Sequence, residues 1–94
     1  MTTMADAQIY ACSPDLVWLQ DDNMVLLVDR RRRESWRLRG TDAILWTWTA
    51  LGYRYQAMTR MLALLLGLSD NTAQVRVDEA IQAWHVAGII EHGG

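Results

Sequence analysis

The sequence predicts an α+β fold in which a three-stranded antiparallel sheet is followed by three helices. Short apolar runs separated by turn residues occupy the chain up to Gly40, whereas apolar residues at steps of three and four occupy it from Thr41 to Ile90. Of the 94 residues, 51% are hydrophobic and 21% are charged, which is typical of one small globular domain. The chain has a single proline and no internal repeat, so nothing indicates a linker or a second domain.

The first two strands are predicted as a β-hairpin. Apolar runs at residues 16–19 and 24–28 flank Asp21-Asp22-Asn23, whose side chains favour turns. Pro14 marks the start of the first run. The preceding residues, 1–13, are expected to form a loosely held arm outside the domain.

A third strand is predicted at residues 34–39, where the side chains alternate in character. Trp36 and Leu38 fall on one face. The opposite, polar face carries Ser35, Arg37 and Arg39. This pattern indicates a strand with one face in solvent. The run Arg30–Arg33 just before it is interpreted as a solvated turn.

The first two helices are predicted from apolar residues at helical spacing. The first begins after Gly40, with Thr41 as its N-cap, and ends at about Leu51. Because it is apolar nearly all round, it is expected to be buried on more than one side. One stripe comprises Ile44, Trp48 and Leu51, whereas Leu45 and Trp46 lie off it. The second helix follows Gly52 and ends at Gly67. Its predicted core face comprises Met58, Met61, Leu62 and Leu65.

The third helix has the clearest periodic pattern, and Thr72 is predicted to cap it. Its predicted core face comprises Ala73, Val77, Ile81, Trp84 and Gly88. A second line of residues beside that face comprises Arg76, Ala80, Ala83 and Ala87. Because three of these four side chains are methyl groups, they leave a shallow trough. The trough could accept either a neighbouring helix or a ligand.

The junction between the third strand and the first helix resembles that of PqqD-like domains. Residues 36–46 read WRLRGTDAILW, where the family typically has aromatic-x-Leu-Asn-x-Thr-Gly-Ala-x-Ile-Trp. The Val-Leu-Leu of the second strand and the ending Gly88-Ile89-Ile90 also fit the family pattern. The resemblance covers about residues 14–91. Three residues depart from the pattern, namely Arg39 for Asn, Asp42 for Gly and Arg76 for Asp.

PqqD-like domains bind the leader peptides of ribosomally synthesised, post-translationally modified peptides. The resemblance therefore implies a winged-helix-like domain whose third strand has a free edge beside the third helix, where a leader peptide adds as a further strand. The implied peptide-binding residues are Ser35, Trp36, Arg37, Leu38, Arg39, Arg76, Ala80, Ala83 and Ala87.

The same resemblance implies the partners of the chain. It implies a non-catalytic recognition element, or peptide chaperone, that presents the precursor peptide to a separate modifying enzyme such as a leader peptidase or a radical enzyme. The aromatic-rich junction is most similar to the recognition elements of lasso-peptide pathways. The domain is expected to be a monomer or a homodimer paired through its edge strand.

A winged-helix DNA-binding protein is the main alternative, with Arg30–Arg33 as the wing. The formal net charge of −2 disfavours binding to a polyanion. Asp78 and Glu79, on the exposed side of the third helix, would face phosphate groups. In DNA-binding winged helices the wing usually follows the helices, whereas here the hairpin precedes them. We therefore expect no nucleic-acid binding.

A carrier protein or an enzyme fits the sequence less well. The pair Gly93-Gly94 could serve a ubiquitin-like carrier, but the helical pattern continues almost to Ile90. The two histidines, His85 and His92, form neither a zinc-ligand pattern nor a nucleophile pair with Cys12. We predict no catalytic residue, no metal and no cofactor.

The expected location is the cytoplasm, without a membrane partner. The longest apolar run, residues 61–66, is far shorter than the roughly 20 residues that span a bilayer. The lone cysteine excludes an internal disulfide and suits a reducing compartment. The predicted domain occupies residues 14–91, followed by a short tail at 92–94.

Overall fold

The structure, a computed structural model, describes the backbone of residues 10–92 and the side chains of residues 12–90. The strands are β1 (Tyr10–Cys12), β2 (Leu16–Asp21), β3 (Met24–Asp29), β4 (Glu34–Arg39) and β5 (Ile90–His92). The helices are α1 (Thr41–Ala50), α2 (Tyr55–Leu66) and α3 (Asp70–Ala87). The predicted order of three antiparallel strands followed by three helices is confirmed, with β4 as the predicted third strand.

The sheet of β2, β3 and β4 has β3 at its centre. Both pairs are antiparallel, and their register places Trp18, Leu27 and Trp36 in one row across the sheet. Val25 and Leu27 of β3 are fully buried. Because side chains alternate along each strand, one face of the sheet covers the core, and the other faces away from the helices.

The centre of the core is a cluster of three indoles. Trp46 of α1 is fully buried and meets Trp18 of β2 at 6.3 Å between ring centroids and Trp84 of α3 at 5.3 Å, both edge to face. This geometry places the positive edge of one ring against the negative face of the next, and each pair contributes about 0.5–1.5 kcal/mol beyond its buried area. The cluster joins the sheet, α1 and α3.

A second sheet, which the sequence analysis did not predict, consists of β1 and β5. The strands pair antiparallel with Ala11 across from Glu91, and the Ser13 N–H donates to the Ile89 carbonyl at 3.0 Å. The loosely held arm predicted for residues 1–13 is therefore wrong for residues 10–12. The reason is a long-range pairing with the chain that follows α3. Residues 1–9 of the arm and 93–94 of the tail lie outside the described residues.

The predicted start of α1 is wrong by one residue. Gly40 rather than Thr41 occupies the N-cap position, and Thr41 is the first residue of the helix. Gly40 has φ +58° and ψ −130°, a conformation that L side chains rarely adopt. The tight turn from β4 into α1 therefore depends on this glycine rather than on a side-chain cap.

The stripe of Ile44, Trp48 and Leu51 is not the most buried face of α1. The buried residues are Ala43, Leu45, Trp46 and Thr49. Leu51 is exposed, whereas Ile44 and Trp48 are half-buried. Because this helix is apolar nearly all round, its periodicity does not indicate which face lies in the core. In the structure, the contacts of Trp46 with Trp18 and Trp84 determine that face.

The other two helices agree better with their predictions. In α2, Met58 and Leu62 are buried and Gly67 ends the helix in the left-handed conformation, but Leu65 is 56% exposed. In α3 the predicted face is buried except for Gly88, which forms the C-cap. The predicted N-cap of α3 is wrong, because the Ser69 side chain accepts the Thr72 N–H at 3.1 Å and the helix begins at Asp70.

Candidate functional site

The edge strand β4 is the first component of the candidate site. The order β2-β3-β4 places it at the end of the sheet, so within residues 10–92 no strand lies along its second edge. The predicted alternation is observed: Trp36 and Leu38 are half-buried and pack against the core. The exposed side chains of the strand are Glu34, Ser35, Arg37 and Arg39. A strand edge of this kind offers backbone N–H and C=O groups to an added strand.

The second component is the line of residues on α3. Arg76 and Ala83 are exposed, and Ala87 is half-buried. Ala80, in contrast, is 7% exposed and belongs to the core. The accessible part of the predicted trough is thus shorter than the sequence pattern indicated. Ala83 is exposed, so no helix of the described chain covers the trough at this residue.

Arg32 links these two components. Its Nη2 donates to the Ala87 carbonyl at 2.6 Å, which ties the β3–β4 turn to the last residue of α3. Its Nε donates to Asp29 Oδ2 at 3.0 Å and lies 3.5 Å from Glu34 Oε1. The side chain of Arg32 therefore holds the start of β4 next to the end of α3. We call this set of contacts the Arg32 tether.

Asp29 anchors the tether from the end of β3. Its side chain is almost fully buried, and Oδ1 accepts the backbone N–H groups of Arg31 and Arg32, each at 3.0 Å. The hydrogen bond from the Arg32 backbone is the main cause that holds the pKa of Asp29 below its ordinary value, and the Arg32 guanidinium acts in the same direction. The carboxylate is therefore charged when it orients Arg32.

The tether was not predicted, because the four consecutive arginines have the same chemistry in the sequence. Arg30, Arg31 and Arg33 are exposed, as expected of a solvated turn. Among residues 10–92, Arg32 is the only arginine that forms an ion pair. The acceptor that distinguishes it, the Ala87 carbonyl, lies 55 residues away in the chain.

A pocket of about 450 Å³ lies beside α1, and no pattern in the sequence predicted it. It opens between the β2–β3 turn, at Asp22 and Asn23, and the α1 residues Ile44 and Trp48. Both of these α1 side chains are half-buried. Trp48 also stacks on Tyr53, with 6.5 Å between ring centroids.

The described residues show no constellation for nucleophilic or metal chemistry. Cys12 is half-buried, and burial raises the pKa of its thiol, which disfavours the reactive thiolate. No group of three or more potential metal ligands is present among the residues that the structure describes. In the same part of the chain, no helix is both long and apolar enough to cross a lipid bilayer.

A side-chain hydrogen bond joins α2 to α3. The Tyr55 hydroxyl donates to Asp78 Oδ1 at 2.6 Å. Burial, followed by this hydrogen bond, raises the pKa of Tyr55 to about 12. The exposed Asp78 and Glu79 add negative charge to this side of α3, which disfavours contact with a polyanion.

Comparison with known proteins identifies the fold. The structure of TbiB1 in complex with the TbiA(beta) leader peptide matches this chain with a TM-score of 0.82 and 15% sequence identity, over 86% of this chain and 94% of the other. This chain has the fold of TbiB1. The resemblance to leader-peptide-binding domains is thus confirmed at the level of the fold. The sequence matches no family model and no curated protein.

Proposed function

We propose that this chain is a non-catalytic recognition element that binds the leader peptide of a ribosomally synthesised precursor. The proposal rests on the match to TbiB1, a protein whose structure contains a leader peptide, together with the edge of β4, which is unpaired within residues 10–92. The peptide would add to β4 as a further antiparallel or parallel strand. The predicted site residues on β4 and α3 would flank it.

The energetics of strand addition require apolar contacts as well as backbone pairing. Each new hydrogen bond contributes about 0.5–1.5 kcal/mol net, whereas ordering the backbone of each peptide residue costs about 1–2 kcal/mol. Backbone pairing alone would therefore not bind a peptide. Alternate side chains of the added strand would point toward the inner face of the sheet. There they would lie beside Trp36 and Leu38 and toward the small side chains of Ala83 and Ala87.

The proposed role does not require any chemistry from this chain. A bound leader peptide holds the rest of the precursor near any enzyme that also binds the recognition element. This raises the effective concentration of substrate at that enzyme, and the reaction accelerates without a new catalytic group. The modifying enzyme would be a separate protein.

The direct test is titration of the chain with the leader peptide of the precursor encoded beside its gene. Calorimetry should show 1:1 binding with a micromolar or lower Kd, and a scrambled peptide should not bind. Duplex DNA serves as a second control. Tight, salt-dependent DNA binding without any binding of the leader would contradict the proposal.

The variant Ala83→Arg tests the position of the site. Ala83 is exposed, so the long side chain can keep its charge in water and the thermal midpoint should change little. On the proposal the peptide lies between β4 and α3, so the added side chain should weaken peptide binding by about tenfold or more, which corresponds to about 1.4 kcal/mol. Gln82→Arg is the matched control, because residue 82 is exposed on a different side of the same helix. Equal affinities of the two variants would place the peptide elsewhere.

A further inference from the structure

The face of the β2-β3-β4 sheet that points away from the helices is apolar over much of its area. We call it the outer face. The register places its side chains in three rows, which are Val17–Val28–Ser35, Leu19–Leu26–Arg37 and Asp21–Met24–Arg39. Leu19 is 66% exposed and Val17 is 42% exposed, and the apolar side chains of β3 on this face are half-buried. An exposed apolar surface of this kind commonly marks a site of protein contact.

The outer face is also polarised across the sheet. Its apolar side chains belong to β2 and β3, whereas β4 contributes Arg37 and Arg39, both exposed. Neither arginine forms an ion pair within the described residues. A ligand that covers this face therefore has to bury apolar side chains on one side and place carboxylates over β4 on the other.

We propose that the outer face docks a segment of a partner protein that presents apolar side chains next to carboxylates, such as an acidic amphipathic helix. A second copy of the same face is a less complementary partner. Its three rows contain one carboxylate, Asp21, to pair with the two arginines. An anionic membrane is disfavoured by Asp21, which stands in the same row as Arg39, and by the net charge of −2. This surface is a face of the sheet rather than the edge of β4, but it shares Arg37 and Arg39 with the predicted leader-peptide site.

The charge requirement can be tested with three synthetic helical peptides of about 18 residues, or five turns. All three carry the same stripe of leucines, which is flanked by Glu in one peptide, Gln in the second and Lys in the third. Titrated against the full chain by fluorescence anisotropy, the Glu peptide should bind. The Gln peptide should bind about tenfold more weakly and the Lys peptide more weakly still.

Variants locate the binding surface. Leu19→Glu should reduce binding of the Glu peptide by at least about tenfold, because it places a charge inside the apolar area. Leu64→Glu is the matched control, since Leu64 is a 79% exposed leucine on α2, and it should have no effect. The double variant Arg37→Glu, Arg39→Glu should reverse the preference, so that the Lys peptide binds better than the Glu peptide. Leu19 and Leu64 both lie outside the predicted leader-peptide site. The thermal midpoint of each variant verifies that it folds.

Several results would overturn this proposal. They are equal affinity for the three peptides, no binding of the Glu peptide, or the same loss of binding on Leu64→Glu. Binding to phosphatidylglycerol vesicles that Leu19→Glu abolishes would assign the face to a membrane instead. A dimer in analytical ultracentrifugation that Leu19→Glu dissociates would assign it to a second copy. Leu19→Glu changes a residue outside the predicted leader-peptide site and should leave the leader-peptide titration unchanged, so either proposal can fail without the other.

Discussion

Two junctions hold the three-stranded sheet to α3, and they differ in their chemistry. At the indole junction, Trp46 contacts both Trp18 of the sheet and Trp84 of α3 inside the core. At the Arg32 tether, a side chain that is 44% exposed donates to the Ala87 carbonyl. Burial of apolar area is strong but non-directional, whereas a hydrogen bond is weaker and fixes a distance. We therefore infer that the indole junction determines the stability of the domain, and the tether determines the position of β4 relative to α3.

The largest expected effect comes from breaking the indole junction. Trp46→Ala should destabilise the fold by about 3–5 kcal/mol, because it removes a fully buried side chain and leaves a cavity. Trp46→Phe should cost less, since Nε1 of Trp46 has no hydrogen-bond partner among the described residues and no such bond is lost. Urea denaturation measures both. Equal destabilisation by the two variants would show that the indole nitrogen matters more than the buried volume.

An intermediate effect is expected at acid pH, through the Asp29 carboxylate of the tether. Because the pKa of Asp29 is lower in the folded than in the unfolded chain, its stabilisation is fully present above the ordinary value of 3.8 and is lost as the pH falls through the folded-state pKa. Asp29→Asn should therefore flatten the decrease in thermal midpoint below about pH 4. Asp22→Asn, at an exposed turn residue, is the control and should leave the decrease unchanged. A decrease in Asp29→Asn as steep as in the wild type would exclude this carboxylate as its cause.

The smallest effect on stability is expected from Arg32→Ala, which should cost less than about 1 kcal/mol because the ion pair is partly exposed. On the proposed function, the same variant should weaken leader-peptide binding, since the start of β4 is no longer held at α3. Arg31→Ala is the matched control, as Arg31 is exposed on the same turn and pairs with no carboxylate in the described chain. Calorimetry with the leader peptide compares the two. If both variants bind the peptide equally well, the tether does not position β4 for binding.

The sequence predicted those parts of the fold in which local pattern and long-range packing agree. Alternation along residues 34–39 predicted the two faces of β4, and the helical period of α3 predicted Val77, Ile81 and Trp84 in the core. The same approach failed where many positions are equivalent in the sequence. Leu51 has the same apolar character as Leu45, yet only Leu45 is buried.

Features that depend on distant partners were not predictable from local patterns. The pairing of β1 with β5 joins segments at the two ends of the described chain, and each strand has only three residues. The two components of the candidate site could be proposed from residues on β4 and α3, but the contact that joins them could not. It depends on which arginine of the turn reaches the end of α3, and that is decided by the tertiary fold.

The β1–β5 pair makes the domain suitable for transplantation into other proteins. Tyr10 lies across from His92, so the two ends of the described chain leave the domain side by side, at the spacing of neighbouring strands, about 5 Å. A host protein could receive residues 10–92 within a surface loop without its own chain being pulled apart. Joining the same two ends with a short linker and opening the chain at the exposed Gly52 would give a circular permutant. Insertion would place the host protein at the side of the domain where β1 and β5 meet, whereas the permutant would carry a fused enzyme at the connection between α1 and α2.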